Sequence, residues 1–281
     1  MALTDFLSTA LAPSNFTTIV VLLTLMAVIS AVEVLIPLSG RGRWNRVHLV
    51  PNLVLTITTF VMSMFFGAAI ILALVALQSA SLGLLNWYAI DPFWAIVAAV
   101  LVLDLSTYAC HVALHKVPGW WRFHRVHHCD PAVDVTTSFR QHPGESVIRY
   151  VFLAATAAVV GASPVAFGVY RTLSALTALA EHANLRVPPW LDDALSLVTT
   201  WPTFHKVHHS RAQHETDSNY ANIFSVWDRL FFTFTPARRG RGVDYGLEGL
   251  DDPSNQTVAG LLTLPFRGAA IRSDGDARHR A

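Results

Sequence analysis

Three short histidine motifs offer the chain's most specific chemistry: His111-Val-Ala-Leu-His115, His124-Arg-Val-His127-His128 and His205-Lys-Val-His208-His209. On a helix, residues three and four apart share a face, so His111 and His115 can reach one metal ion from adjacent turns. Within each HxxHH the first histidine pairs with both later ones. The adjacent two diverge enough to serve two different ions. Eight imidazoles exceed the need of one tetrahedral ion and suit two ions of four or five nitrogen ligands each, with positions left for O2 or water. Imidazole binds zinc, copper, iron and nickel alike, so ligand type leaves the metal open. A zinc protease of the HExxH type is excluded, because Val112 stands where its glutamate would be. The Glu-x-x-His pairs of carboxylate-rich di-iron bundles are absent as well. His48, His214 and His279 lie apart from the motifs and read as solvated histidines.

The elements that must position these groups are apolar. The chain has 281 residues, 53% hydrophobic and 14% charged, on the membrane side of ordinary soluble composition. A net charge of +1 and the lack of a basic strip give no sign of a nucleic-acid partner. The two cysteines, Cys110 and Cys129, exclude a disulfide framework. Each adjoins a histidine, which admits a metal reading, but structural thiols are the preferred one. Apolar stretches at about 16–38, 49–77 and 93–113 reach the roughly 20 residues a helix needs to cross a bilayer. The first 15 residues lack the basic region of a cleavable leader.

Arg41, Arg43 and Arg46 separate the first two stretches, while 78–92 has no lysine or arginine. The positive-inside rule puts the arginines in the cytoplasm and predicts that the third helix delivers His111 and His115 to that boundary. A fourth apolar region, about 147–180, is broken at Gly161-Ala-Ser-Pro164 into arms short for a full span. It reads as a re-entrant or shallow hairpin, which returns the chain to the side it left. The expected fold is therefore an all-α integral-membrane bundle, a single domain over 1–266. A cytoplasmic helical cap, 111–145 and 181–236, carries a dinuclear metal site, and a polar, disordered tail follows over 267–281.

The motifs, together with Asp104-Leu-Ser-Thr-Tyr108, Trp120-Trp-Arg-Phe, Arg140-Gln-His142-Pro-Gly-Glu145, Glu181-His182-Ala-Asn184, Asn219-Tyr-Ala221 and Trp227-Asp228-Arg-Leu-Phe231, resemble the fatty acid hydroxylase/sterol desaturase superfamily of membrane di-iron oxygenases. The similarity covers roughly 104–236. It implies two irons, replaceable by zinc in purified protein, and C–H oxidation with O2 and two electrons. Carried over residue by residue, the implied ligands are His111, His115, His124, His127, His128, His182, His205, His208 and His209. The family usually has serine where Ala183 stands and often glycine where Ala221 stands. Both changes leave the ligands and bear on the shape of the pocket.

Metal-bound histidines usually donate their other N–H to a carboxylate or carbonyl. Asp104, two turns before His111, and Glu145, Glu181 and Asp228 are candidate acceptors or else surface charges, with His142 and Asn184 as further neighbours. His142-Pro-Gly-Glu145 looks like the haem-binding stretch of cytochrome b5, but the apolar hairpin that follows rules this out. With no Gly-rich dinucleotide fingerprint, electrons must come from a separate protein, a ferredoxin or cytochrome b5-like donor. The expected activity is hydroxylation of a fatty-acyl, sterol or related lipid entering between apolar helices, with desaturation by the same site as the alternative. A membrane metal transporter would need polar residues at mid-membrane depth, and a non-catalytic lipid-binding protein would keep the pocket without redox activity.

Overall fold

The computed structural model describes residues 15–40, 47–250 and 252–267. Arg41, Arg43, Arg46, His279, the first 14 residues and all but the first residue of the expected tail lie outside them.

Long apolar runs form α1 (Asn15–Leu35), α2 (Leu49–Ser79) and α3 (Pro92–Lys116). The short α4 (Pro118–His128) follows at once. Then come α5 (Pro143–Val160) and α6 (Pro164–His182), and the cap helices α7 (Pro189–Leu195) and α8 (Pro202–His208). Among the described residues there is no β-strand, only two isolated bridges. Among the described residues four helices are long and apolar enough to cross a membrane: Thr17–Leu35, Leu49–Asn86, Pro92–Lys116 and Pro143–Val160. Trp87, Tyr88, Phe93 and Trp94 are exposed together near one end, as aromatic residues are at a membrane–water interface. This is an all-α membrane protein.

Local sequence sets the helix starts. Asp91, His142 and Ser163 each accept a backbone N–H of the following turn, and each precedes a proline at the first helical position. That pairing supplies both a cap and a preset φ. It also starts α5 earlier than its apolar stretch suggests, so α5 has 18 residues rather than a shortened arm.

The connection Gly161–Ser163 reverses the chain. Gly161 ends α5 at φ +71°, and a Cβ on Gly83 would lie 2.3 Å from the Gly161 Cα. Glycine is needed on both sides of this contact. It closes the end of the bundle remote from the histidines. At the other end α5 carries Glu145 in its first turn, its carboxylate 2.9 Å from His124, and α6 ends with His182, 3.1 Å from His127. The pair thus runs out and back, packed with α2 and α3 around a core that includes Leu74, Leu103, Leu153, Ala157 and Phe167.

The ends of α1 and α2 also reach the histidine layer. Glu33, buried near the end of α1, accepts the Val135 and Asn184 backbone N–H groups. His48, expected to be solvated, is instead buried, its Nδ1 3.2 Å from Asp130 and its Nε2 3.4 Å from Asp134. Burial alone would lower its pKa, but the two carboxylates raise it. An isolated histidine carries no sequence periodicity, so nothing local marked it as interior.

Candidate metal centre

Nine histidines converge into two groups. His111, His115, His124, His128 and His208 form the first, and His127, His182, His205 and His209 the second; within each, the candidate ligand atoms lie within 4.8 Å of one another. Each HxxHH motif is divided between the groups. His124 and His128 enter the first while His127 enters the second; His205 and His209 enter the second while His208 crosses to the first. Helical geometry accounts for this division. Residues i and i+4 nearly superpose in projection, whereas i+3 and i+4 stand about 100° apart. The expectation that the first histidine pairs with both later ones therefore narrows to the i+4 partner.

The remaining ring nitrogens fix the orientations. The Nδ1–H groups of His111, His182 and His208 donate to the Tyr220, Ala178 and Ser218 carbonyls at 2.8 Å, and that of His127 to Arg140 O at 3.3 Å. His124 Nδ1–H donates to the Glu145 carboxylate at 2.9 Å, and His115 Nδ1 lies 3.5 Å from Asp217. A carbonyl or carboxylate can only accept, so in each hydrogen-bonded ring the proton sits on Nδ1 and Nε2 carries a lone pair.

Those lone pairs face each other. His111 and His128 Nε2 lie 3.0 and 3.1 Å from His124 Nε2. His127, His205 and His209 Nε2 lie 3.1, 3.2 and 3.2 Å from His182 Nε2. In the neutral His111–His124 and His127–His182 pairs no proton lies between the nitrogens, so the contacts are repulsive unless a cation is shared. Two nitrogens bound at about 2.0–2.1 Å to one ion stand roughly 2.9–3.4 Å apart, which brackets all five separations. His208 Nε2 is also buried without a partner. The donor set fits a metal ion in each group.

Of the supporting residues, Glu145 and Glu181 adjoin the histidines. Glu145 Oε1 is shared between His124 and Arg149 Nε, at 2.9 and 2.7 Å. Glu181 Oε1 lies 3.7 Å from His182 and 3.8 Å from His205. Asp104 serves otherwise: it accepts the Ile223 and Phe224 backbone N–H groups and the Trp227 indole N–H, folding that loop against α3. Asp228 does the same for Tyr220 and Ala221, and so sets the carbonyl that holds His111. Asn184 binds Ser39, and His142 caps α5 with its Nδ1, so neither meets a candidate ligand. Neither buried cysteine joins a histidine group.

Sequence reasoning missed Asp217 and the fully buried Arg140, which donates to Val126 O, Asn52 and Gln256 while its carbonyl faces His127. The basic residue at the second place of each HxxHH has a structural use. Arg125 donates to the Leu264 carbonyl, and Lys206 donates to Val133 O and to His182 O at the end of α6.

Burial, then mutual repulsion, holds the His124, His127, His128, His205 and His209 imidazoles well below their usual 6.5, and burial followed by His115 does so for His208. These rings are neutral, as a ligand must be. Below about pH 6.5 the unfolded chain takes up protons that the folded site refuses, so metal-free protein loses stability as pH falls and is unaffected above. Thermal unfolding of chelator-treated protein in detergent is expected to show a falling midpoint on that side; a flat midpoint through it would contradict neutral burial.

Residues 96–233 match the fatty acid hydroxylase family. The chain is 31% identical over 159 residues to an alkylglycerol monooxygenase of Danio rerio, covering 56% of this chain and 34% of the relative. It is 26% identical to an ornithine lipid hydroxylase of Rhizobium tropici, covering 55% of this chain and 46% of that protein. A cholesterol 25-hydroxylase-like protein of Danio rerio is 27% identical, over 50% of this chain and 55% of its own length. No solved structure matches. The chain belongs to the fatty acid hydroxylase superfamily, and its match spans about a third of the alkylglycerol monooxygenases' length.

Proposed function

We propose that this protein hydroxylates a lipid with O2 at a pair of irons held by the two histidine groups. The observation that carries the reading is the set of inward Nε2 atoms, 3.0–3.2 Å apart, which needs shared cations to be stable. His111, His115, His124, His128 and His208 hold one ion, and His127, His182, His205 and His209 the other. Bound there, iron supplies the reduction of O2 and the oxidation of a C–H bond. The overall change puts one oxygen atom into the C–H bond and releases the other as water, using two electrons and two protons. The protein's own part is to orient the rings through Glu145, Asp217 and the carbonyls of the surrounding loops, and to keep water out by burial. The named relatives, which include a monooxygenase and hydroxylases of lipids, support a lipid substrate.

The site faces the cytoplasm. In the sequence Glu33 and His48 flank the basic stretch containing Arg41, Arg43 and Arg46, and both belong to the histidine end, so the positive-inside rule assigns that end to the cytoplasm. A separate reduced carrier, a ferredoxin or cytochrome b5-like protein, docks on that side.

The test is turnover of a membrane lipid extract by the reconstituted, iron-loaded protein with a reducing chain and isotopically labelled O2. Mass spectrometry is expected to find a lipid carrying one labelled oxygen. Loss of two hydrogens without labelled oxygen would make the protein a desaturase, and no lipid change would defeat the reading.

A further inference from the structure

The space that leads to the histidines has polar as well as apolar walls. A cavity of about 90 Å³ lies between α2, α3, α5 and α6, with Thr59, Ser138, Gln141, Ser174 and Asn222 in its wall. A second, of about 40 Å³, is bounded by His111, His127, His182 and His205. Ser138, Gln141, Arg149, Ala178 and Asn222 line both, so the two are adjoining chambers. Each is far below the roughly 300 Å³ at which pockets begin to enclose a drug-sized apolar ligand.

Two arginines face this space. Arg171 donates through Nη2 to Ser63 Oγ and Tyr150 OH, both at 2.8 Å, and no carboxylate among the described residues lies within ion-pair distance of it. Arg149 uses Nε on Glu145; its terminal Nη1 and Nη2 have no hydrogen-bond partner among the described residues. A guanidinium within a membrane bundle is costly unless paired, so Arg171, whose hydrogen-bond partners are neutral hydroxyls, and the terminal nitrogens of Arg149 mark a ligand position. The planar guanidinium fork matches carboxylate or phosphate oxygens. Arg171 lies 11 positions before His182 on α6, about 16 Å along the helix axis, while Arg149 stands at the passage to the histidines.

We infer that Arg171 and Arg149 bind the anionic headgroup, carboxylate or phosphate, of an amphiphilic substrate. The headgroup end, rather than the tail, then occupies the chambers, and the acyl chain leaves between helices toward lipid. Arg171 supplies the charge that no protein group neutralises, and Tyr150 holds its fork in place. Oxidation consequently falls on the part of the chain that passes from the headgroup to the histidines. The inference rests on the hydroxylase reading for that last step only.

The test compares dodecanoate, dodecyl phosphate and dodecanol, which share a chain and differ in headgroup, by calorimetric titration into metal-loaded protein in a neutral detergent. At least one anion is expected to bind ten times or more tighter than dodecanol, and the better anion identifies which oxyanion is read. Arg171→Met abolishes that preference, Arg171→Lys keeps part of it, and Tyr150→Phe, a milder change that leaves the charge in place, reduces it severalfold. Equal affinities for all three probes, or an undiminished preference in both Arg171→Met and Tyr150→Phe, would overturn the inference. Binding requires no turnover. An anion preference without lipid oxidation would defeat the hydroxylase reading alone, and oxidation without the preference would defeat this one alone.

Discussion

His127→Ala is expected to lose one metal ion per chain and keep the other, with turnover falling by more than the roughly 100-fold that loss of a supporting residue can cost. His128→Ala, one position away, is expected to empty the opposite group, because His128 belongs with His124 and His208 while His127 belongs with His182, His205 and His209. The arrangement makes a sharper prediction for pairs. His127→Ala with His205→Ala empties one group twice, whereas His127→Ala with His208→Ala empties both, although each pair removes one histidine from each HxxHH motif. Metal content of the purified variants distinguishes the two. If each motif instead holds its own ion, both double variants lose both ions, and the crossed assignment is wrong.

Glu145→Gln is expected to weaken retention of the first ion by about 10- to 100-fold, the usual range for a residue that orients a metal-bound histidine, and to leave the second ion in place. Glu145 holds the His124 Nδ1–H and Arg149 Nε on a single oxygen, at 2.9 and 2.7 Å. A neutral amide oxygen accepts both more weakly, and its NH2 group, if turned inward, opposes the His124 N–H. Chelator titration with separate readout of the two ions checks this. Equal weakening of both would show that Glu145 acts on the fold rather than on His124.

Much of this centre was legible in the chain because it is written in local periods. The i, i+4 spacing of His111 and His115 and the HxxHH repeats state which side chains share a helix face, and all three motifs lie on helices. The proline starts of α3, α5 and α6 and the Gly161 reversal were equally local. What could not be read is held by contacts distant in sequence. His48 is interior only because Asp130 comes to meet it from 82 residues away. Asp104 was expected beside a histidine two turns along its own helix. It faces instead a loop about 120 residues later, whose backbone N–H groups need an acceptor. The carbonyls of Arg140, Ser218 and Tyr220 orient three histidines, and a backbone oxygen carries no sequence signature at all. The chambers were hidden for a related reason. Arg149 and Arg171 each interrupt an apolar helix once, and only the packing of α5 and α6 around α3 brings them to one space.

Two clusters of neutral imidazole lone pairs, buried where water cannot separate them, are the physical core of this account. The most direct measurement is elemental analysis of protein extracted from iron-supplied cells in mild detergent without chelator, scaled to chain concentration. Two transition-metal ions per chain, chiefly iron, is the predicted result; a value of one or none in folded protein would contradict it.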